Sequence, residues 1–254
     1  MVDEQKLNKP KDVDEILNEQ IETALKEHSR KGTNLFLSSI SAGLELGFSF
    51  FLISIVYTLL GDNVTDFTRS VLHAFSYSIG FVLVIIGKSV LFTEYTTIAV
   101  VPVLNGNASV KNLLKIWGII YFGNLTGGFL FSLIMSFLPV EMNTVSVASV
   151  EKIVLKIIGY NGFIIFLSGI IAGWLMGLLS WLVTSAQETI SRIVCIVLVT
   201  GLIGLGNLHH SVLGSIEVLT GVLVSERIYF SNYIQVLLSS TLGNIVGGVI
   251  FVQY

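Results

Sequence analysis

The sequence predicts an all-α integral membrane protein with six transmembrane helices, and three observations support that class. Hydrophobic residues make up 53% of the 254 residues and charged residues only 12%, far below the quarter that is usual in soluble domains. The mean hydropathy is +0.82. Apolar stretches long enough to cross a bilayer, about 20 residues each, recur along the chain.

The first 31 positions form a polar tail that precedes the membrane body at residues 32–254. They hold 14 of the 31 Asp, Glu, Lys and Arg residues, and the other 17 are spread over the body. Such a tail can lie on the membrane surface, bind a partner or cover a pore mouth. Apolar residues recur in it at helical spacing and predict an amphipathic helix at about residues 12–30: Ile16, Leu17, Ile21, Ala24 and Leu25.

The membrane body divides into six apolar segments, of which the second and fifth are unusual. Each is too long for one helix and too short for two complete spans, and polar residues interrupt each near its middle, KSVLFTEYTT (88–97) and GLGNLHHSVLGS (204–215). Broken helices are tolerated at membrane depth where they line a cavity or are buried in protein. The six predicted segments are 34–60, 67–104, 113–138, 163–183, 190–223 and 233–254.

An internal repeat relates the two halves of the body. GNLTGGFLF (123–131) and GNIVGGVIF (243–251) share G-N-x-x-G-G-x-x-F, and SAGLELG (41–47) and IAGWLMG (171–177) share A-G-x-x-x-G. Segments one and four therefore match, as do three and six, and the broken segments two and five. Because each unit has three spans, the second must enter from the opposite side. We predict two inverted three-helix repeats whose interface lies at the membrane midplane.

The distribution of basic residues favours a cytoplasmic N-terminus. This orientation places nine Lys and Arg residues inside, six of them in the tail, and four outside, as the positive-inside rule requires. Without the tail the loops alone do not decide the orientation. We expect a multi-pass protein of the plasma or inner membrane whose partners are the lipid bilayer and other copies of the chain, with no nucleic acid.

Charged and titratable residues lie inside the predicted spans, where one charge costs about 2.5–3.5 kcal/mol and usually lines a pathway or pairs with a neighbour. For Glu45 and Lys88 a structural ion pair and a functional role are both open, and Glu217 is predicted to cap a broken helix. A third group lies at the two breaks and is predicted to form a protonatable centre in the pathway: Glu94, His209 and His210.

Three motifs make the chain resemble the formate/nitrite transporter family: LFT (91–93) at the first break, His210 followed by Ser211 at the second, and IWGIIYFGNLTGG (116–128) in the third segment. The pattern Y-F-G-N-x-x-G-x-x-x-F (121–131) is especially specific. The resemblance extends from about residue 34 to the C-terminus. TEYT (93–96) together with LHHSVLGSIEVL (208–219) resembles the divergent YfdC-like branch of that family.

The resemblance implies an aquaporin-like protomer that assembles as a homopentamer, with one pore in each protomer. It implies that His210 is a central histidine between two hydrophobic constrictions. A vestibule lysine is expected before the fourth segment, with Lys152 and Lys156 as candidates and Lys156 preferred for its distance from that segment. The pore or permeant residues predicted by motif match are Leu91, Phe92, Thr93, Leu208, His210 and Ser211.

The chain departs from the family pattern near these motifs. Glu94 follows LFT, where familiar formate and nitrite channels have a small residue, and His209 stands where they have an acidic residue. Gly173 replaces an asparagine, and Lys88 replaces a small residue. We predict that Glu94 faces His209 and His210 across the pore, favours the protonated histidine and cancels its charge.

These features predict passive or proton-linked passage of a small monovalent solute, with a weak-acid anion of the formate or nitrite type as the first candidate. Two alternatives remain, an altered selectivity for a cation or neutral solute and a non-conducting sensor or scaffold. An intramembrane hydrolase is disfavoured, because the sequence has no H-E-x-x-H, no G-x-S-x-G and no Asp-containing dyad in the spans. No cofactor or metal is expected, and the single cysteine, Cys195, excludes a multi-cysteine metal site.

Overall fold

The computed structural model describes residues 10–61 and 64–250, and the regular elements within those ranges are all helical. The ends of the predicted tail and of the sixth segment, residues 1–9 and 251–254, lie outside the described residues. The helices are α1 (Val13–Ser29), α2 (Gly32–Leu60), α3 (Asp66–Gly87), α4 (Phe92–Ile98), α5 (Val101–Leu104), α6 (Val110–Glu141), α7 (Val147–Ile158), α8 (Gly162–Ser185), α9 (Thr189–Leu205), α10 (Ser211–Val224) and α11 (Phe230–Ile250).

Among the described residues, the structure has one more full-length membrane helix than the four unbroken segments that the sequence predicted. In the described part of the chain, α2, α3, α6, α8 and α11 are long and apolar enough to cross a membrane. The predicted fifth segment is split into α9, of 17 residues, and α10, of 14 residues. In the second segment α3 has 22 residues and is a full-length helix by itself, and the short α4 and α5 follow it. Both predicted breaks are therefore confirmed, at 88–91 and 206–210.

Local sequence determines where several helices begin. Four helices start after an N-cap whose side-chain oxygen accepts a hydrogen bond from the amide three residues later: Thr65 for α3, Ser109 for α6, Ser146 for α7 and Asn161 for α8. Such caps satisfy amides that have no partner within the helix. Asp12 and Glu15 form a reciprocal capping box at α1. The amphipathic tail helix begins where the sequence predicted it.

The two repeats are built around matching helix pairs, α2 with α6 and α8 with α11. A Cβ placed on Gly43 would lie under 3.0 Å from backbone atoms of Asn124 and Gly128, and one on Gly173 would meet the backbone of Asn244 equally closely. The A-G-x-x-x-G and G-N-x-x-G-G patterns therefore face each other within each repeat. Their glycines let the helix backbones approach one another, which is a common packing device in membranes.

Replacing Gly43 by alanine is expected to lower the thermal stability of the detergent-solubilised protein. The new methyl group meets backbone atoms that cannot rotate away, and such overpacking costs about 1–3 kcal/mol. Gly118→Ala is the matched control, because a Cβ on that α6 residue finds no other group of the protomer within 4 Å. Thermal unfolding followed by tryptophan fluorescence measures both variants. Equal midpoints for the two would contradict the close packing.

Candidate functional site

The two helix breaks have the same backbone geometry. Each begins with a residue in the left-handed region, Lys88 at φ 59° and Asn207 at φ 47°. Three residues later comes an extended N-cap, Leu91 with φ −105° and ψ 128° before α4, and His210 with φ −103° and ψ 126° before α10. Two segments without sequence identity at these positions thus turn in the same way. This equivalence supports the inverted repeat and brings two short helices together by their N-termini.

Two buried asparagines hold the breaks in place. Asn124 accepts a hydrogen bond from the Phe92 amide through Oδ1 at 2.7 Å, and its Nδ2 donates to the carbonyl oxygens of Ser39 and Val90, both at 2.8 Å. The side-chain amide thereby satisfies irregular backbone that no water could reach in a bilayer.

Asn244 repeats this arrangement in the second half. It accepts from the Ser211 amide at 2.8 Å and donates to the carbonyl oxygens of Gly169 and His209 at 2.9 and 3.0 Å. Both asparagines are fully buried. The sequence analysis used the G-N-x-x-G-G pattern as evidence of an internal repeat, but it missed the role of the asparagine. The signal was present, because the same polar residue occurs in both copies of an apolar segment.

The breaks meet at a hydrogen bond between Thr93 of α4 and His210. Thr93 Oγ1 and His210 Nε2 are 2.6 Å apart, and the two residues are 0% and 2% exposed. His210 Nδ1 accepts a hydrogen bond from the Leu213 amide at 3.3 Å. A neutral imidazole that accepts at Nδ1 carries its proton on Nε2, so Nε2–H donates to Thr93. The ring of Phe81 packs edge-on against His210 at 5.1 Å.

Apolar side chains surround this contact. Leu91 and Phe92 are buried beside it, and Leu208 is half-buried beneath the second break. Ser211 Oγ is buried and has no hydrogen-bond partner among the described residues. The centre of the protomer therefore has a polar pair, Thr93 and His210, within an apolar wall. The residues predicted by motif match at the two breaks lie together here.

His209 does not contact Thr93, and together with His210 it lines a cavity. Its Nδ1 lies 3.0 Å from Ser168 Oγ and its Nε2 lies 3.0 Å from the carbonyl oxygen of Ile157. Both ring nitrogens thus have protein partners. The cavity is narrow, about 30 Å³, and lies between α7 and the second break. We call it the α7 cavity.

Lys156 and Glu217 also line the α7 cavity, whereas Lys152 is not among its lining residues. Lys156 Nζ lies 5.6 Å from the centre of the Tyr57 ring. Burial lowers the pKa of Lys156, and the nearby Arg69 and Lys152 lower it further, whereas Asp66 opposes the shift.

The predicted role of Glu217 as a cap is wrong. Glu217 is 5% exposed and lies within α10, seven residues from the start of that helix. The amides of the first turn are satisfied instead by His210 and Asn244. Glu217 is therefore a buried carboxyl group of the α7 cavity.

The predicted pairing of Glu94 with the histidines is also wrong. Glu94 lines a separate chamber of about 380 Å³ between α1 and the body, which we call the α1 chamber. Thr93 and Glu94 are consecutive residues of α4, so their side chains leave the helix about 100° apart. Thr93 faces His210, and Glu94 faces α1. The expected neutral Glu–His pair does not form.

An ion pair between Glu45 and Lys88, one of the two possibilities left open by the sequence, does not form. Ser89 Oγ donates to Glu45 Oε1 at 2.9 Å, and Glu45 Oε2 is buried without a partner within the described ranges. Lys88 is exposed and lines the α1 chamber. In the part of the chain that the structure describes, no three His, Cys, Asp or Glu side chains are placed to hold a metal ion. Cys195 is a half-buried thiol of α9.

Comparison with known proteins gives consistent matches. Residues 14–254 match the family model described as formate/nitrite transporter. The inner membrane protein YfdC of Escherichia coli is 32% identical over 226 residues, which cover 88% of this chain and 71% of that protein. A solved pentameric formate channel with formate bound superposes with a TM-score of 0.75 at 24% identity, covering 85% of this chain and 92% of that one. A solved FNT family ion channel has a TM-score of 0.78 at 22% identity, covering 93% and 95%.

Proposed function

Because the chain belongs to the formate/nitrite transporter family, whose members are membrane channels and transporters rather than enzymes, we propose that it conducts a small weak-acid anion of the formate or nitrite type. The observation that carries this proposal is the buried hydrogen bond between Thr93 and His210 at the meeting point of two broken helices. Ionisable residues at that depth are rare and usually mark a solute pathway.

The proposed route runs from the α1 chamber past Thr93 and His210 to the α7 cavity. Apolar walls exclude a hydrated anion, so a weak acid crosses when donors replace its water. The Nε2–H of His210 can donate its hydrogen bond to an oxygen of the solute in place of Thr93. The Thr93 hydroxyl is then free to donate to a second oxygen. Lys156 at the α7 cavity provides a positive charge at the far end of the route.

We further propose that the chain assembles as a pentamer in a bacterial-type inner membrane, each copy with its own pore. The solved neighbour is described as pentameric, and the Escherichia coli relative is named as an inner membrane protein. Many large apolar side chains on α6, α8 and α11 are exposed on the single protomer and need lipid or a neighbouring copy.

A cytoplasmic N-terminus, proposed from the basic residues of the tail, places the α1 chamber on the cytoplasmic side. The tail helix α1 then covers the mouth.

Purified protein in proteoliposomes is expected to take up formate and nitrite faster than empty liposomes. Uptake is measured at pH 5 and pH 7.5, and reversal potentials in asymmetric salt give the sign of the permeant charge. Anion uptake above background, with reversal potentials that follow the anion gradient, supports the proposal. Potassium selectivity would instead support the altered-selectivity alternative. No flux of either ion at both pH values would support the non-conducting alternative.

A further inference from the structure

The α1 chamber has features that the proposed conduction pathway does not require. It is enclosed by the docked tail helix on one side and by the helices of the body on the other, and it has about 380 Å³ of free space. The α7 cavity, at about 30 Å³, is more than ten times smaller. The charged residues that line the chamber are Glu19, Lys26 and Glu27 on α1 and Lys88, Glu94 and Arg192 on the body, and Gln20 and Thr23 are among its other polar residues.

Two of the carboxylates around the chamber are already neutralised. Glu19 Oε2 lies 2.6 Å from Lys11 Nζ, and Glu27 Oε2 lies 3.1 Å from Arg30 Nη1. These ion pairs are formed within the tail helix and its flanking residues. Among the described residues, Glu94 is therefore the carboxylate of the chamber that forms no ion pair.

The cations of the chamber are largely unpaired. Lys26 and Lys88 are exposed to the space and form no ion pair within residues 10–61 and 64–250, and Arg192 uses Nε for the carbonyl oxygen of Ala186 at 3.0 Å. Three cationic side chains therefore face one unpaired carboxylate. Field lines from like charges concentrate in a cleft with low-dielectric walls, so the chamber attracts anions.

Gln20 provides the second and independent indication of a ligand. Its side chain is 4% exposed on the chamber wall, and Nε2 has no hydrogen-bond partner among the described residues. A buried donor without a partner destabilises the folded state. An acceptor oxygen in the chamber would remove that destabilisation.

We propose that the α1 chamber is a binding site for a small anion with carboxylate or oxyanion oxygens, held by Gln20 and Lys26 from the tail helix and by Lys88 and Arg192 from the body. Because the ligand touches both sides, its binding also holds α1 over the mouth. The inference shares with the proposed function only the class of solute. It adds a binding site that precedes the pore, and it assigns a role to Lys88 and Arg192.

The test measures access to the chamber directly. Thr23→Cys is introduced in a Cys195→Ser background, and its rate of reaction with a neutral maleimide is measured while formate or nitrite replaces gluconate at constant ionic strength. We expect at least fivefold slower labelling at saturating anion. Glu22→Cys is the matched control and should react at a constant rate, because Glu22 is exposed like Thr23 but does not line the chamber.

Two substitutions connect the protection to the named cations. Lys88→Asn combined with Arg192→Gln in the Thr23→Cys background should abolish the slowing, and asparagine tolerates the left-handed backbone at position 88. Lys115→Gln removes an exposed charge outside the chamber and should leave the protection intact. Unslowed labelling of Thr23→Cys, or equal slowing after the double substitution, would overturn the inference.

The outcome is separable from that of the flux measurement. Formate flux in liposomes without protection of Thr23→Cys would refute the chamber site and leave the conduction proposal standing. Protection of Thr23→Cys without flux would refute the conduction proposal and leave the chamber site standing. The chamber would then bind an anion that the pore does not pass.

Discussion

Replacing His210 by asparagine should lower formate and nitrite flux about a hundredfold while α10 stays folded. Asparagine is a favourable N-cap, so its oxygen can still accept from the Leu213 amide that His210 Nδ1 serves. It is too short to reach Thr93 or a solute beside it. Losing one strong hydrogen bond to the solute in the constriction, roughly 2–3 kcal/mol, corresponds to about two orders of magnitude in rate. Stopped-flow uptake in proteoliposomes measures the change.

The Thr93 side of the same contact supplies the control pair. Thr93→Val keeps the shape and removes the hydroxyl, so it should also reduce flux strongly, whereas Thr93→Ser keeps the hydroxyl and should stay near the wild-type rate. Thermal unfolding of each variant separates a loss of function from a loss of folding. Wild-type flux in both His210→Asn and Thr93→Val would show that the solute does not cross at this contact.

The sequence predicted the breaks but not which side chains meet there. Polar residues in the middle of an overlong apolar segment indicate an interrupted helix, and both interruptions occur where they were predicted. The side-chain direction at a new helix start depends on where the helix begins, and an error of one residue turns the face by about 100°. That rotation is why Thr93 and not Glu94 reaches His210.

The docking of the tail helix could not be predicted either. The sequence predicted an amphipathic helix there, but an apolar stripe is equally suited to lipid, to a partner or to the body of the same chain. In the structure Ile16 and Ala24 are buried, and His28 bridges to the Ala99 carbonyl oxygen at 3.2 Å and to Asn112 Nδ2 at 3.0 Å. These contacts join residues 71 and 84 positions apart. No local pattern in a single sequence specifies such pairs.

The repeated G-N-x-x-G-G pattern was predicted to reflect an internal repeat, and close helix packing explains only its glycines. The asparagines follow from a different need, because each break leaves amide and carbonyl groups that a helix would have satisfied. A side-chain amide is suited to this position, since it donates and accepts at once. Both halves therefore keep an asparagine at the same place in the pattern.

Asn124→Ala is consequently expected to destabilise the protein by about 3–6 kcal/mol. The substitution leaves the Phe92 amide and the Val90 carbonyl oxygen buried without a partner, at roughly 1–3 kcal/mol each, and it also creates a cavity. Asn244→Ala should cost a similar amount, since it frees the equivalent groups at Ser211 and His209. Thermal unfolding in detergent measures both. Asn161→Ala is the control: Asn161 caps α8 at an exposed position, and such a cap is worth about 1 kcal/mol. If Asn124→Ala were no more harmful than Asn161→Ala, the breaks would have to be held by the glycine packing of α2 on α6 and not by the asparagine.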